Sequence, residues 1–184
     1  MENLGYNNLK IIYADTKIVF RNEVIMKQTN VAGWIKGITI AIGIMGIVFF
    51  AGVMPYAAKI FFSENTQIAF LYLPTMIFGG ITAIFCYAVL FQFWKVCLQI
   101  EKDRSFSKEN VKSFSVMSKL LFVLAVLWIL YLLVHLVFGW ATFEMIWRMI
   151  LFSFVWSAIA CLCAALSVLI EKAMKIQEEN DLTI

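Results

Sequence analysis

The chain has 184 residues, 62% of them hydrophobic and only 15% charged, with a mean hydropathy of +0.86 and a net charge of +3. That balance excludes an ordinary water-soluble domain. Once the apolar stretches are counted, no room is left for a second, soluble domain. The few basic residues are split among short segments, which excludes a nucleic-acid recognition helix.

Residues 1–30 read as a cytosolic N-terminal segment. The apolar pieces at 18–20 and 24–26 are broken by Arg21, Asn22 and Glu23, with no small-residue cleavage site, so this is not a secretory signal. Two readings of residues 1–25 stand side by side. Glu23-Val24 can be encoded by a ribosome-binding sequence just before the Met26 codon, which makes Met26 a candidate initiator and the upstream residues a translated leader. The other reading is a segment lying at the membrane surface.

Four stretches, 37–58, 65–94, 120–143 and 149–170, contain no Asp, Glu, Lys or Arg. Each reaches the roughly 20 apolar residues that a helix needs to cross a hydrocarbon core of about 30 Å. The fold expected is all-α: a polytopic membrane protein with four transmembrane helices in a bundle. The spans lie at about 33–58, 66–98, 116–140 and 145–171, in one domain over 31–175, followed by a cytosolic tail over 172–184.

Orientation follows from Lys and Arg. Lys10, Lys17, Arg21, Lys27 and Lys36 precede the first span. Lys95, Lys102, Arg104, Lys108, Lys112 and Lys119 fill the loop between the second and third, and Lys172 and Lys175 follow the fourth. The positive-inside rule places both termini and the 95–119 loop in the cytoplasm. Trp34 and Trp94 then mark the inner interface, and Tyr56, Tyr72, Trp140 and Trp147 the outer one. The chain reads as a multi-pass protein of a bacterial inner (cytoplasmic) membrane, and the lipid bilayer is its first partner.

Within the spans, small residues at four-residue spacing suggest packing seams: Gly33, Gly37 and Ala41, with Gly43 and Gly46 nearby, and Ser153, Ser157, Cys161 and Ala165. A homodimer through such a stripe is the alternative. Pro55 stands near the outer end of span one. Pro74 is expected to kink span two, since proline removes a backbone hydrogen bond, and Gly79-Gly80 adds close approach.

Chemistry inside the spans is sparse. No carboxylate lies between the helix ends, unlike the usual ion-coupled transporter. His135 is the candidate intramembrane polar site, able to switch near neutral pH or simply to bond a neighbouring carbonyl. Glu144 and Arg148 are spaced to pair on one helix face. Cys86, Cys97, Cys161 and Cys163 imply no disulfide framework. Cys161-Leu162-Cys163 lacks the partners for a tetrahedral metal site, and its two thiols point to different faces. No catalytic motif is present, so no enzyme, metal or cofactor is expected.

The distinctive sequence lies on the cytosolic side. Ser107 suits an N-cap whose hydroxyl reaches the Asn110 amide, with Glu109 in the first turn and Phe106 and Val111 placed as a hydrophobic staple. A helix should therefore begin at Lys108 and run into span three. The tail, rich in Glu178, Glu179 and Asp181, extends span four and repeats the Glu-Asn pair of 109–110 at Glu179-Asn180.

Four spans, the stretch Phe106-Ser107-Lys108-Glu109-Asn110-Val111 and the ending Glu178-Glu179-Asn180-Asp181-Leu182-Thr183-Ile184 together resemble a bacterial family catalogued as domain of unknown function 2975. The resemblance runs from about Met26 to Ile184. It implies no established activity. It does imply a small cytosolic helix-turn-helix regulator of the Cro/repressor type as partner, since members are often encoded beside one, with no direct nucleic-acid binding by this chain.

Two functions follow as expectations. The first is a regulatory or interaction protein whose 100–114 loop and 178–184 tail form one cytosolic surface. Phe106, Ser107, Glu109, Asn110, Val111, Glu179, Asn180, Asp181, Leu182 and Thr183 are its candidate residues, and the same residues would serve equally to staple loop to tail. The second is a small-molecule transporter, or a sensor of membrane-active compounds, with a site near Pro74, Gly79, Trp128 and His135 that aromatic rings could line for an apolar cation. A water-accessible cavity at mid-membrane depth favours the second and a dry, close-packed bundle the first.

Overall fold

A computed structural model describes residues 31–102 and 104–182, the last two by backbone only. The expectations about residues 1–30, including a start at Met26, and those about Thr183 and Ile184 lie outside the described residues. Every element described is helical. Helix α1 is Val31–Glu64, α2 Tyr72–Glu101 after a 3-10 segment Thr66–Leu71, α3 Lys108–Val137, and α4 Phe143–Leu182. Among the described residues, four helices are long and apolar enough to cross a membrane. The 40 residues of α4 extend about 60 Å, twice the hydrocarbon core of a bilayer.

The α3–α4 hairpin is the centre of the packing, α2 lies on α3, and the Phe49–Glu64 part of α1 approaches only α2 closely. Buried positions on α4 run Met145, Met149, Ser153, Ala160, Cys163 and Ser167, in steps of three, four or seven that keep one seam facing α3. On α3 the matching seam holds Asn110, Phe114, Met117, Leu121, Leu124 and His135. Two hydroxyls bind the helices in one antiparallel register: Ser153 Oγ donates to the Ala125 carbonyl at 3.2 Å and Ser167 Oγ to the Val111 carbonyl at 2.9 Å. Where lipid is as apolar as the side chains, such bonds and close fit replace the hydrophobic drive.

The hairpin turn is written by two residues. Gly139, at φ +69°, takes the left-handed position past the end of α3. Its amide donates to the Leu136 carbonyl and that of Trp140 to the His135 carbonyl, the paired bonds of a Schellman cap. Thr142 Oγ1 then accepts from the Met145 amide and starts α4.

Two expectations about the spans need correction. The stripe Gly33, Gly37 and Ala41 is exposed, and a Cβ at either glycine would touch nothing within 4 Å. The seam of α1 is instead Ala32, Thr39, Gly43 and Gly46. There a Cβ at Gly43 would stand 3.3 Å from Leu90 and one at Gly46 2.9 Å from the Tyr87 hydroxyl. On α4 only Ser153 of the anticipated stripe is buried, while Cys161 and Ala165 are exposed. Spacing by four defines a stripe but not the side it faces.

Pro74 does not kink α2. It lies in the first turn of that helix, where its missing N–H has no partner to lose. The break comes earlier, at Ile68, whose φ/ψ of −115°/15° is non-helical. Pro55 does distort its helix: a π-helical turn, Phe49–Val53, precedes it, with the Met54 amide reaching back to the Phe49 carbonyl.

Candidate functional site

Two places concentrate features that packing alone does not use, one at each end of the molecule. At the charged end, Ser107 caps α3, accepting from the Asn110 amide at 3.3 Å, and Glu109 occupies the first turn. Asn110 is 1% exposed, and its Nδ2 donates to the carbonyls of Arg104 at 3.2 Å and Ser105 at 2.9 Å, folding the loop back onto the helix. Val111 offers its carbonyl to Ser167, which ties this turn to α4. The result is a shallow groove of about 300 Å³ in which Phe106, Lys108 and Glu109 face Met174, Gln177 and Glu178. Phe106 remains 55% exposed there. Glu179 and Asn180 follow in the exposed last turns of α4, and Asp181 and Leu182 continue its backbone.

Lys36 of α1 pairs with Glu101 of α2 near this end and lies 5.9 Å from the Trp94 ring centroid. Thr39 Oγ1 and Cys97 Sγ meet at 3.8 Å one turn deeper.

At the opposite end a cavity of about 290 Å³ lies among all four helices. Phe49, Val53 and Met54, from the π-helical turn and its exit, form one wall. Gly79 explains why Met54 reaches so far: a Cβ there would fall 1.8 Å from Met54 Cε. The far wall is aromatic. Phe78 stacks on Tyr131 at 4.1 Å and meets Trp128 edge-on at 5.2 Å, and Trp128 in turn lies 5.0 Å from Phe152. Thr75 and Tyr131 join their hydroxyls at 2.9 Å. On the remaining side no close backbone contact joins the second half of α1 to α4, and only side chains span the gap.

Among the described residues, Arg148 is the only charged one in the lining. Its guanidinium lies 5.1 Å from the Phe61 ring centroid, and its Nε donates to the Glu144 carbonyl at 3.2 Å. The carboxylate of Glu144 is 3.9 Å away and 76% exposed, so this pair is loose. The sequence spacing pointed to that pair and missed the role of Arg148 in the cavity wall.

Of the residues expected around a small-molecule site, Gly79 and Trp128 line the cavity, and Pro74 and His135 do not. His135 is 2% exposed, and its Nδ1 donates to the Tyr131 carbonyl at 2.8 Å. Its ring contacts Tyr131 and, more distantly, Trp140, so its place is in the cap that ends α3. Cys161 is exposed and Cys163 buried, on different faces of α4. Among the described residues no group of His, Cys, Asp or Glu is arranged to hold a metal ion.

A protein family of unknown function, DUF2975, matches residues 56–184. The chain belongs to that family. The match takes in the C-terminal end of α1, the whole of α2 to α4 and the C-terminal Glu-Glu-Asn-Asp-Leu-Thr-Ile, but it begins at residue 56 rather than near Met26. Both candidate sites draw mainly on the DUF2975 part, although Phe49, Val53 and Met54 precede it. No curated protein and no solved structure matches the chain.

Proposed function

We propose that this DUF2975 protein is a multi-pass protein of the cytoplasmic membrane, with both termini and the 95–119 loop inside. On this reading it is a regulatory or interaction partner of a small helix-turn-helix regulator, and not an enzyme. The observation that carries the reading is the meeting of Phe106 and Glu109 with Met174 and Glu178, two distant segments brought to one groove on the charged end. A half-exposed aromatic ring rimmed by charges of both signs is the composition of a protein-binding spot. The positive-inside bias of Lys and Arg supports a cytosolic position for that groove, within reach of a soluble regulator. The test is co-purification of the regulator with the full-length protein from native membranes. Removing residues 178–184 should abolish it without changing membrane insertion, and unchanged recovery of the regulator counts against the proposal.

The cavity favours a second reading, a sensor or transporter for a small membrane-active molecule. A space of about 290 Å³ stands at the low end of small-molecule pockets, about 300–1,000 Å³, and its aromatic walls are typical of them. Flux of a ligand across sealed vesicles supports transport. A ligand that binds without crossing, and alters recovery of the regulator, supports sensing.

A further inference from the structure

We propose that the cavity between α1 and α4 holds a single-chain amphiphile with an anionic head, of the long-chain fatty-acid class, which enters sideways from the bilayer. The inference rests on the second reading above, that this space takes a small molecule.

Charge decides the head. Among the described residues Arg148 is the only charged one in the lining and no carboxylate lies there, so an apolar cation would meet repulsion and find no counter-ion. The guanidinium presents a planar fork that suits a carboxylate. Its nearest acid, Glu144, is 3.9 Å away and exposed, which leaves donors available. Arg148 stands five residues into α4, about 8 Å from its start, the depth at which a headgroup would lie above a buried chain.

Size and shape decide the rest. The space, about 290 Å³, takes only part of one long chain and leaves the rest to lie along its open side, and Phe, Trp and Met side chains make up most of its wall. No close backbone contact shuts the side between α1 and α4, so a chain can slide in without leaving the membrane. Met54, unbranched and seated over Gly79, can shift to suit chains of different length.

The experiment uses the full chain in zwitterionic nanodiscs with a photoactivatable stearate, adducts being mapped by mass spectrometry. Stearate, stearyl alcohol and stearyl-trimethylammonium serve as competitors. Labelling is expected at α1 residues 49–61 and α4 residues 145–156, competed best by stearate. Arg148→Gln should weaken stearate competition about tenfold and leave the alcohol unchanged, and Arg148→Lys should recover part of the loss. Gly79→Leu, which drives Met54 into the space, should remove labelling. Because it overpacks a buried position, the second variant is Ala57→Phe, which fills the same space from an exposed position on α1 and should remove labelling with the melting temperature kept. Equal competition by the cation and the acid, or no effect of Arg148→Gln, overturns the anionic head but leaves the cavity reading standing. Labelling that survives Gly79→Leu, or that spreads evenly over lipid-facing residues, overturns both.

Discussion

Asn110 is the residue on which the charged end depends most, and its removal gives a measurable opening of the loop. Its side-chain amide makes two hydrogen bonds, to the carbonyls of Arg104 and Ser105, from a position 1% exposed. At about 1 kcal/mol each, Asn110→Ala should cost about 2 kcal/mol locally, a shift of up to about thirtyfold in the opening equilibrium. Asn110→Asp should do the same, because it offers oxygen where the carbonyls need a donor. The N-cap is a separate bond, made by the Ser107 hydroxyl, so Ser107→Ala should cost about 1 kcal/mol and open the loop about fivefold. Limited trypsin cleavage in this loop reads the difference directly, since cleavage tracks the open population when closing is fast. The order expected is Asn110→Ala fastest, then Ser107→Ala, then the parent chain, with helix content unchanged by circular dichroism. Equal rates for Asn110→Ala and the parent would show that the loop is held by something else, and a faster Ser107→Ala would show that the cap outweighs the clasp.

Three further outcomes follow from the packing. Gly139→Ala forces a Cβ into a left-handed φ and should destabilise the α3–α4 hairpin by about 1–2 kcal/mol, with Gly139→Asn milder, read by thermal unfolding in detergent. Gly46→Ala should displace the Tyr87 hydroxyl from its 2.7 Å bond to the Gly43 carbonyl and loosen α1 from α2. Adding Tyr87→Phe should then cost nothing more, so that the pair is non-additive in the same assay. Ser153→Ala and Ser167→Ala should each cost about 0.6 kcal/mol and add when combined, because the two hydroxyls are about 21 Å apart along α4.

What the sequence made legible was set by charge and by local bonding. The ends of the apolar stretches are written in Lys, Arg and Glu, because an ionised group near mid-membrane is expensive, and the four long helices follow from that. The start of α3 was legible because a Ser at the cap and an amide three residues on are neighbours in sequence. The faces were not legible. In a helix apolar all round, hydropathy has no period to show which side meets protein and which meets lipid, so the choice between Gly33-Gly37 and Gly43-Gly46 rests on contacts with Leu90 and Tyr87 some forty residues away. A better signal was present on α4. Ser153 and Ser167 stand in its uncharged stretch, and both are buried. Their positions mark the seam because a polar group facing lipid finds no partner.

The cavity shows why a site in such a protein escapes its sequence. Its shape depends on Met54 filling the absent side chain of Gly79, and on a π-helical turn that turns Phe49 and Val53 toward the gap. Neither can be read from spacing. Arg148 could have been weighed differently. An arginine four residues after a glutamate suggests a pair, but the same arginine begins an aromatic stretch, with Phe152 and Trp156 at successive turns on its face. A cation aligned with a row of rings is a poor salt-bridge partner for an exposed acid and a good lid for an apolar space. Phe61 beneath the guanidinium, with Glu144 left to solvent, is the arrangement that this alignment produces.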